Sequence, residues 1–464
     1  MRGNRPIRAV AALAAAALVL AACGGDDDDA GDVAQTTAAG AGDTVADTTA
    51  DTTGDTTADT TADTTADTTA DTTADTTADT TADTTAAGGG EATDAPIKIG
   101  MLTSLTTNFA PWGVQVQAGM HLAADEINAA GGVNGRMIEI VEADDENDAD
   151  QAVAAYERLA EEDVLAIGGI ISSTTGLSVS LLAEDLEIPT FLTKAGASEI
   201  LTPDSRYVFR TCLPAAPMVS GPIIQYAQAE GLTKIGAIVA DYGWGQSIKA
   251  ALEADVAATD GIELQVEVAP VGETDFTTYL RNLESFGPDV LVATGHPPGS
   301  GPITVQSADL GLDVPVTGAY SPYALVWNNA GEAAIDRYSD FDCADYESAD
   351  YQDMAKRFLA ATDLTFMEDD AVSGYGIVTM VADAVAAVGD DPADIGAYLH
   401  GQTYDLPGYP FQMGWTEWGE MATAQPLFTI MSTGPAPEGV NEAGDWYPKV
   451  LLRPDPLEPY DPGS

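Results

Sequence analysis

Between residues 97 and 317, short apolar runs alternate with longer stretches in which apolar residues recur every three to four positions. The short runs at 97–102, 137–141, 164–167 and 189–192 read as strands. After the first, a polar loop is expected from Asn108 to Gly113. A helix follows over 115–130, with Val116, Met120, Ala123, Ala124 and Ile127 on one side. Gly131-Gly132 ends it, glycine being favoured just past a helix C-terminus. Asp148 is placed to cap a helix over 149–161, and another helix is expected over 176–184. The pattern then restarts, with strands at 235–239, 262–268, 290–294 and 314–317 and helices at 246–258, 276–286 and near 303–310. Strand and helix alternating at this spacing predict a parallel doubly wound sheet. Two such sheets in one chain predict an α/β protein of two lobes with a cleft between them.

The N-terminus carries a different pattern. Arg2, Arg5 and Arg8 precede an apolar run over 9–20, the arrangement of a secretory signal. At about 12 residues the run is shorter than the ~20 a spanning helix needs, and no later stretch reads as apolar enough to cross a bilayer. Leu20-Ala21-Ala22-Cys23-Gly24 resembles the lipobox of bacterial lipoproteins. The resemblance implies removal of residues 1–22, lipidation of Cys23, and a chain exported and held on the outer face of the membrane. From Asp47 to Asp83 the unit Asp-Thr-Thr-Ala recurs. Aspartates four apart would line one helical face with like charges, and the segment has almost nothing to bury. Residues 23–95 are therefore expected to form a disordered tether of roughly 45–50 Å root-mean-square span.

Composition narrows the function. With 74 acidic and 17 basic residues the formal charge is −57, a field that repels phosphate backbones and excludes nucleic acid as a partner. The hydrophobic fraction of 45% is ample for real cores. There is no Gly-x-Ser-x-Gly elbow, no His-Glu-x-x-His pair and no glycine before any lysine, so the chain does not read as an enzyme. The three separated histidines, His121, His296 and His400, do not make a metal constellation. The acidic stretch 144–150 lacks the glycine and terminal glutamate of a calcium loop and reads as a solvated loop with a helix cap. No cofactor or metal is expected. With Cys23 assigned to lipid, Cys212 and Cys343 form one disulfide or stay separate buried thiols.

An ordered series of segments carries a resemblance. It comprises Ile97-Lys98-Ile99-Gly100, Ala110-Pro111-Trp112-Gly113 and Ala129-Ala130-Gly131-Gly132-Val133-Asn134-Gly135. It continues with Asp144-Asp145, Gly168-Gly169-Ile170-Ile171-Ser172-Ser173, Asp241-Tyr242-Gly243-Trp244-Gly245 and Thr274-Asp275-Phe276. Over residues 96–450 the chain resembles type I periplasmic binding proteins, the branched-chain amino acid and amide receptors of ABC transporters. The resemblance implies a hinge of three crossings, near 207–211, 337–342 and 427–431. The first lobe would then hold residues 96–212 and 343–425, the second 213–342 and 426–450, leaving a C-terminal tail at 451–464. Cys212 and Cys343 each follow a proposed crossing, which favours their pairing. Asn147 and Ile171 stand where the family's usual first-lobe disulfide would be.

In open α/β sheets ligands bind beyond the carboxyl ends of the strands. Ser172, Ser173 and Thr174 follow a strand and open a helix, offering hydroxyls and N–H groups to an anion. The resemblance makes Ser172 the key serine; plain helix capping is the alternative. Ala195 and Gly196 also follow a strand, where backbone atoms can reach a ligand. Trp112 and Trp244, in glycine-flanked loops of opposing lobes, are candidates to close over a planar or apolar ligand; ordinary loop packing is the other reading. Tyr320 and His296 are candidates for the second-lobe wall. The family's ammonium site uses a threonine hydroxyl and an acidic residue, but Ala197 and Tyr320 occupy those positions here. A buried ammonium without an anionic partner is costly, so the expected ligand lacks a free α-ammonium: an amide, a urea-like molecule or an aromatic acid. The expected partners are that small molecule and ABC permease subunits, with membrane contact through the lipid anchor and a monomeric chain. The alternative is a sensory lipoprotein that reports its ligand to a signalling receptor.

Overall fold

The computed structural model describes residues 95–295, 298–434, 441–442 and 444–464. The signal, Cys23, the tether and His296 lie outside the described residues. Strand β1 (Ile97–Thr103) is buried along nearly its whole length, as a strand with both faces covered must be. It is followed by α1 (Ala110–Ala129), β2 (Ile138–Asp144), α2 (Ala149–Glu161), β3 (Ile167–Ile170), α3 (Ser173–Leu186), β4 (Thr190–Leu192) and β5 (Val208–Arg210). These strands form an all-parallel sheet in the order β2-β1-β3-β4-β5.

The chain then enters the second lobe with α4 (Ala216–Glu230), β6 (Lys234–Ala240), α5 (Gly243–Ala257), β7 (Glu263–Ala269), α6 (Thr277–Glu284), β8 (Val290–Thr294), α7 (Ser300–Asp309), β9 (Val316–Thr317), α8 (Tyr323–Ala330) and β10 (Tyr338–Asp342). Helices α9 (Ala349–Ala361), α10 (Asp369–Val388) and α11 (Pro392–His400) return to the first lobe, where α10 packs along α1 and against β3. Strands β11 (Leu427–Thr433) and β12 (Trp446–Leu452) complete the second sheet, in the order β12-β11-β10-β9-β8-β6-β7. The β11 and β12 pairings are antiparallel, so this sheet is mixed at one edge. The chain passes between the sheets three times: after β5, after β10 and before β11.

Several local differences from the sequence pattern have identifiable causes. Helix α1 starts at Ala110, with a proline in its first turn where a missing N–H costs nothing, and α5 starts at Gly243. Trp112 and Trp244 are therefore on first helical turns, not in loops. Their flanking glycines serve close approach: a Cβ on Gly113 would strike the Ser104 carbonyl, and one on Gly245 the Ala240 carbonyl. Strand β3 runs later than expected because Gly168-Gly169 belongs to it; a Cβ on Gly168 would lie 2.8 Å from Ile377 of α10. Asp145 is buried, accepting from Ser104 Oγ at 2.6 Å and Thr175 Oγ1 at 2.7 Å, so the acidic stretch is solvated only in part. Asp148 does cap α2, accepting from Asp150 N and Gln151 N.

Helix α10 corrects the expectation that no later stretch is apolar enough to span a bilayer, because its 20 residues meet that test by length and composition. Two-thirds of its apolar window (67%) is buried inside the fold, which makes it a core helix. Residues 451–464 are not a free tail. Strand β12 runs to Leu452, Arg453 pairs with Asp345, Leu457 N donates to Ala424 O at 2.8 Å, and Trp418 Nε1 donates to Tyr460 O at 2.9 Å.

Replacing Gly245 by Ala forces α5 away from the end of β6. The expected cost is about 1–3 kcal/mol, the usual range for overpacking a well-packed site, checked by urea denaturation.

Candidate functional site

The carboxyl ends of both sheets face each other. Phe109, Trp112, Ile171, Lys194 and Leu213 on the first-lobe and hinge side, with Tyr242, Trp244, Gly295, Ala319 and Tyr320 on the other, surround a space of about 290 Å³, part of it open to solvent. Ile171 follows β3, Lys194 follows β4, Tyr242 follows β6, Gly295 follows β8 and Tyr320 follows β9, as the strand-end rule requires. The lobes touch through aromatic rings: Phe109 meets Tyr242 edge-on, with centroids 5.4 Å apart. The Trp244 indole packs so closely on Gly196 that a Cβ there would collide with it. Its Nε1 donates to Thr294 Oγ1 at 3.1 Å.

The electrostatic centre is Lys194, whose side chain is 5% exposed. Its Nζ donates to Asp369 Oδ1 at 2.7 Å, to Asp369 Oδ2 at 2.8 Å and to the Tyr320 carbonyl at 3.2 Å. It also lies 4.9 Å from the centre of the Tyr320 ring. Burial pulls the ammonium pKa down, but the carboxylates of Asp369 and Asp370 outweigh that and leave it raised. Lys194 is therefore a fixed cation.

Tyr320 adopts a left-handed backbone with φ of 60°, uncommon for a bulky residue. Asp340 holds that turn. Its carboxylate accepts from Tyr320 N at 2.6 Å, Ser321 N at 3.1 Å and the Tyr338 hydroxyl at 2.6 Å. The turn aims the Tyr320 carbonyl at the first lobe, where it receives Trp112 Nε1 at 3.0 Å as well as Lys194. Burial pushes Asp340 up to about 7, and burial also raises the Asp342 and Asp370 carboxyls well above their usual range. The Tyr242 and Tyr320 hydroxyls have no hydrogen-bond partner among the described residues. Burial raises both phenol pKa values, so both are available as neutral donors.

The residues expected from the sequence divide into two groups. Trp112, Trp244 and Tyr320 come together around the space. Ser172, Ser173 and Thr174 do not line it. Ser172 Oγ caps α3 by accepting from Thr174 N at 3.1 Å, and Ser173 Oγ accepts from Ala197 N at 3.1 Å. The loop carbonyls of Ala195 and Gly196 are bonded within the protein. The Arg210 guanidinium takes those of Ala195 and Ala197, and Gly196 O accepts from Ala216 N at 3.1 Å. Arg210 is itself fully buried beside Glu420, with Nε 3.0 Å from Oε2. Burial lowers the Arg210 pKa and raises that of Glu420, the two shifts expected when charges leave water together.

Sequence reasoning missed Phe109, Tyr242, the side-chain role of Lys194, and the carboxylates Asp340 and Asp369. Tyr242 was within a quoted segment. The available signal for Asp369 was the acidic run Glu368-Asp369-Asp370 ahead of an apolar stretch, a helix-start pattern. The Cys212 and Cys343 sulfurs are 2.00 Å apart, bonding distance, and join the first two crossings.

Residues 96–435 match the profile of the periplasmic binding protein family. The chain belongs to that family. It is a solute-binding protein. Among curated relatives, the leucine-, isoleucine-, valine-, threonine- and alanine-binding protein of Pseudomonas aeruginosa is 26% identical over 333 residues, covering 70% of this chain and 87% of the relative. Among solved structures, a solute-binding protein from R. palustris in complex with benzoate aligns with a TM-score of 0.67 at 21% identity, over 79% of this chain and 99% of that one. The leucine-binding protein from Thermotoga maritima aligns with the same TM-score of 0.67 at 18% identity, over 77% and 99%. The fold is shared with binders of different solutes, so specificity has to be argued from the cleft.

Arg210→Met would leave the Glu420 carboxylate buried without its partner and free the Ala195–Ala197 loop. The expected loss is about 3–5 kcal/mol of stability, measured by chemical denaturation.

Proposed function

We propose that this periplasmic binding protein captures a small, planar, largely apolar solute bearing one acceptor group, preferably a carboxylate, and presents it to an ABC permease. The carrying observation is the lining of the inter-lobe space: five aromatic rings and one ionised side chain, Lys194. The apolar, ring-lined walls suit an aromatic body, and the two phenol hydroxyls supply donors for its acceptor group. The benzoate-bound neighbour has a ligand of this class. Aromatic boxes also suit quaternary ammonium ions, but the Lys194 ammonium over the Tyr320 ring disfavours a second cation.

An amino acid would bring its own ammonium to this cleft. Asp369 is the nearest carboxylate to Lys194, and it is already bonded to that lysine. A free α-ammonium would therefore be buried unpaired, at a cost of several kcal/mol. Ligand closes the lobes through its differential affinity for the closed form. The reading includes a Cys23 lipid anchor with an acidic tether, which keeps the receptor near its permease, and a Cys212–Cys343 disulfide that staples two hinge crossings. With the two cysteines 131 positions apart, the chain-entropy model gives such a staple about 5 kcal/mol.

Three measurements test these statements. Calorimetric titration should show benzoate binding and no heat with L-leucine; tight leucine binding with silent benzoate overturns the ligand class. Permease-dependent uptake lost on deletion supports transport, whereas intact uptake with lost signalling supports the sensory alternative. Non-reducing peptide mapping should find one Cys212–Cys343 cross-linked peptide, and two free thiols would contradict the staple.

A further inference from the structure

Glu368 stands immediately before α10 in the first lobe, yet its side chain bonds into the second. Its carboxyl accepts from Tyr323 N at 3.1 Å and from Ala324 N at 2.8 Å, the first-turn N–H groups of α8. On the first-lobe side, Gln115 of α1 accepts from Glu368 N at 3.1 Å and donates to Phe366 O at 2.9 Å, which fixes the residue's backbone. Glu368 is 1% exposed. Together with Trp112 and Lys194 on the Tyr320 carbonyl, it means the first lobe grips both ends of the segment 320–324.

We propose that Glu368 is the positioning residue that links lobe closure to proton uptake, holding the N-terminus of α8 in the closed form and emerging into solvent as the lobes part. The inference rests on the lobes opening and closing about the cleft, as proposed above, and not on the identity of the solute.

The charged and titratable groups around Glu368 set the sign. Asp369 and Asp370 adjoin it on α10, Lys194 approaches from the end of β4, Tyr323 lies on α8, and Tyr346 and Tyr351 face it from the segment after β10. Burial pushes Glu368 up to about 8, with Asp369 adding to the rise; the α8 N–H groups and Lys194 only partly oppose it. An exposed glutamate titrates near 4.5. The closed form therefore binds more protons between these values, and closure is favoured as pH falls through that window. Asp340 and Asp342 differ in geometry. The side-chain bonds of Asp340 to Tyr320, Ser321 and Tyr338 stay within the second lobe, and opening need not break them, whereas Asp342 accepts both from Thr429 Oγ1 and, at 3.3 Å, from Tyr346 Oη beyond the second crossing.

Hydrogen exchange of the unliganded full-length protein reads this directly, at a peptide spanning 323–330 and corrected for intrinsic exchange at each pH. Protection at pH 5.5 should exceed that at pH 8.5 by about tenfold or more. Glu368→Gln, neutral at every pH and keeping one of the two acceptor oxygens, should show the same protection at both. Glu368→Ala should lose protection at both. Equal wild-type protection at the two pH values, or a Gln variant that keeps the wild-type difference, overturns the proposal. If the Gln variant does not melt cooperatively, the wild-type profile decides alone. No solute enters the measurement, so failure of benzoate to bind leaves its outcome unaffected.

Discussion

One backbone carbonyl organises the cleft. Tyr320 is turned into a left-handed conformation by the buried Asp340 carboxylate, and its carbonyl receives the Trp112 indole and the Lys194 ammonium from the opposite lobe. These are the protein's own groups, so the lobes meet through polar contacts that need no ligand. The chemistry left for a solute follows from this. The lysine is engaged by Asp369 and by Tyr320, and what remains around the space is aromatic surface and two phenol hydroxyls. A cleft built this way discriminates by what it fails to offer, since a buried charge without a partner is disfavoured more strongly than an apolar misfit.

Two buried ion pairs support that arrangement from behind. Lys194–Asp369 fixes a cation at the cleft, and Arg210–Glu420 fixes the loop that follows Lys194 by binding the carbonyls of Ala195 and Ala197. Such pairs add little net stability compared with apolar packing, but losing one partner is costly. Their value here is geometric: they hold Gly196 against the Trp244 ring and keep the first-lobe loops in register with the second lobe.

Up to β9, all the strands and helices but β5 and α4 were legible in the alternation of apolar runs, because both sheets have covered faces and repeat one supersecondary unit. Departures came where glycine has two meanings. Gly113 and Gly245 looked like loop residues but allow helices to begin against strand ends, and Gly168, just past the expected strand, lies in β3 under α10. The site was less legible. Ser172 and Ser173 have the spacing of an anion loop, and local capping uses the same spacing. Lys194 and Asp369 are 175 positions apart, and Glu368 reaches α8 across 44 and 45 positions. No local pattern announces such pairs; the crossings of the hinge bring them together.

A crystal structure of the protein with its bound solute tests the account most directly. The account predicts that Trp112 Nε1 and Lys194 Nζ still donate to the Tyr320 carbonyl, with a planar apolar solute lying among Phe109, Trp112, Tyr242 and Trp244. A solute ammonium bonded to that carbonyl, with Lys194 displaced from Asp369, would contradict it.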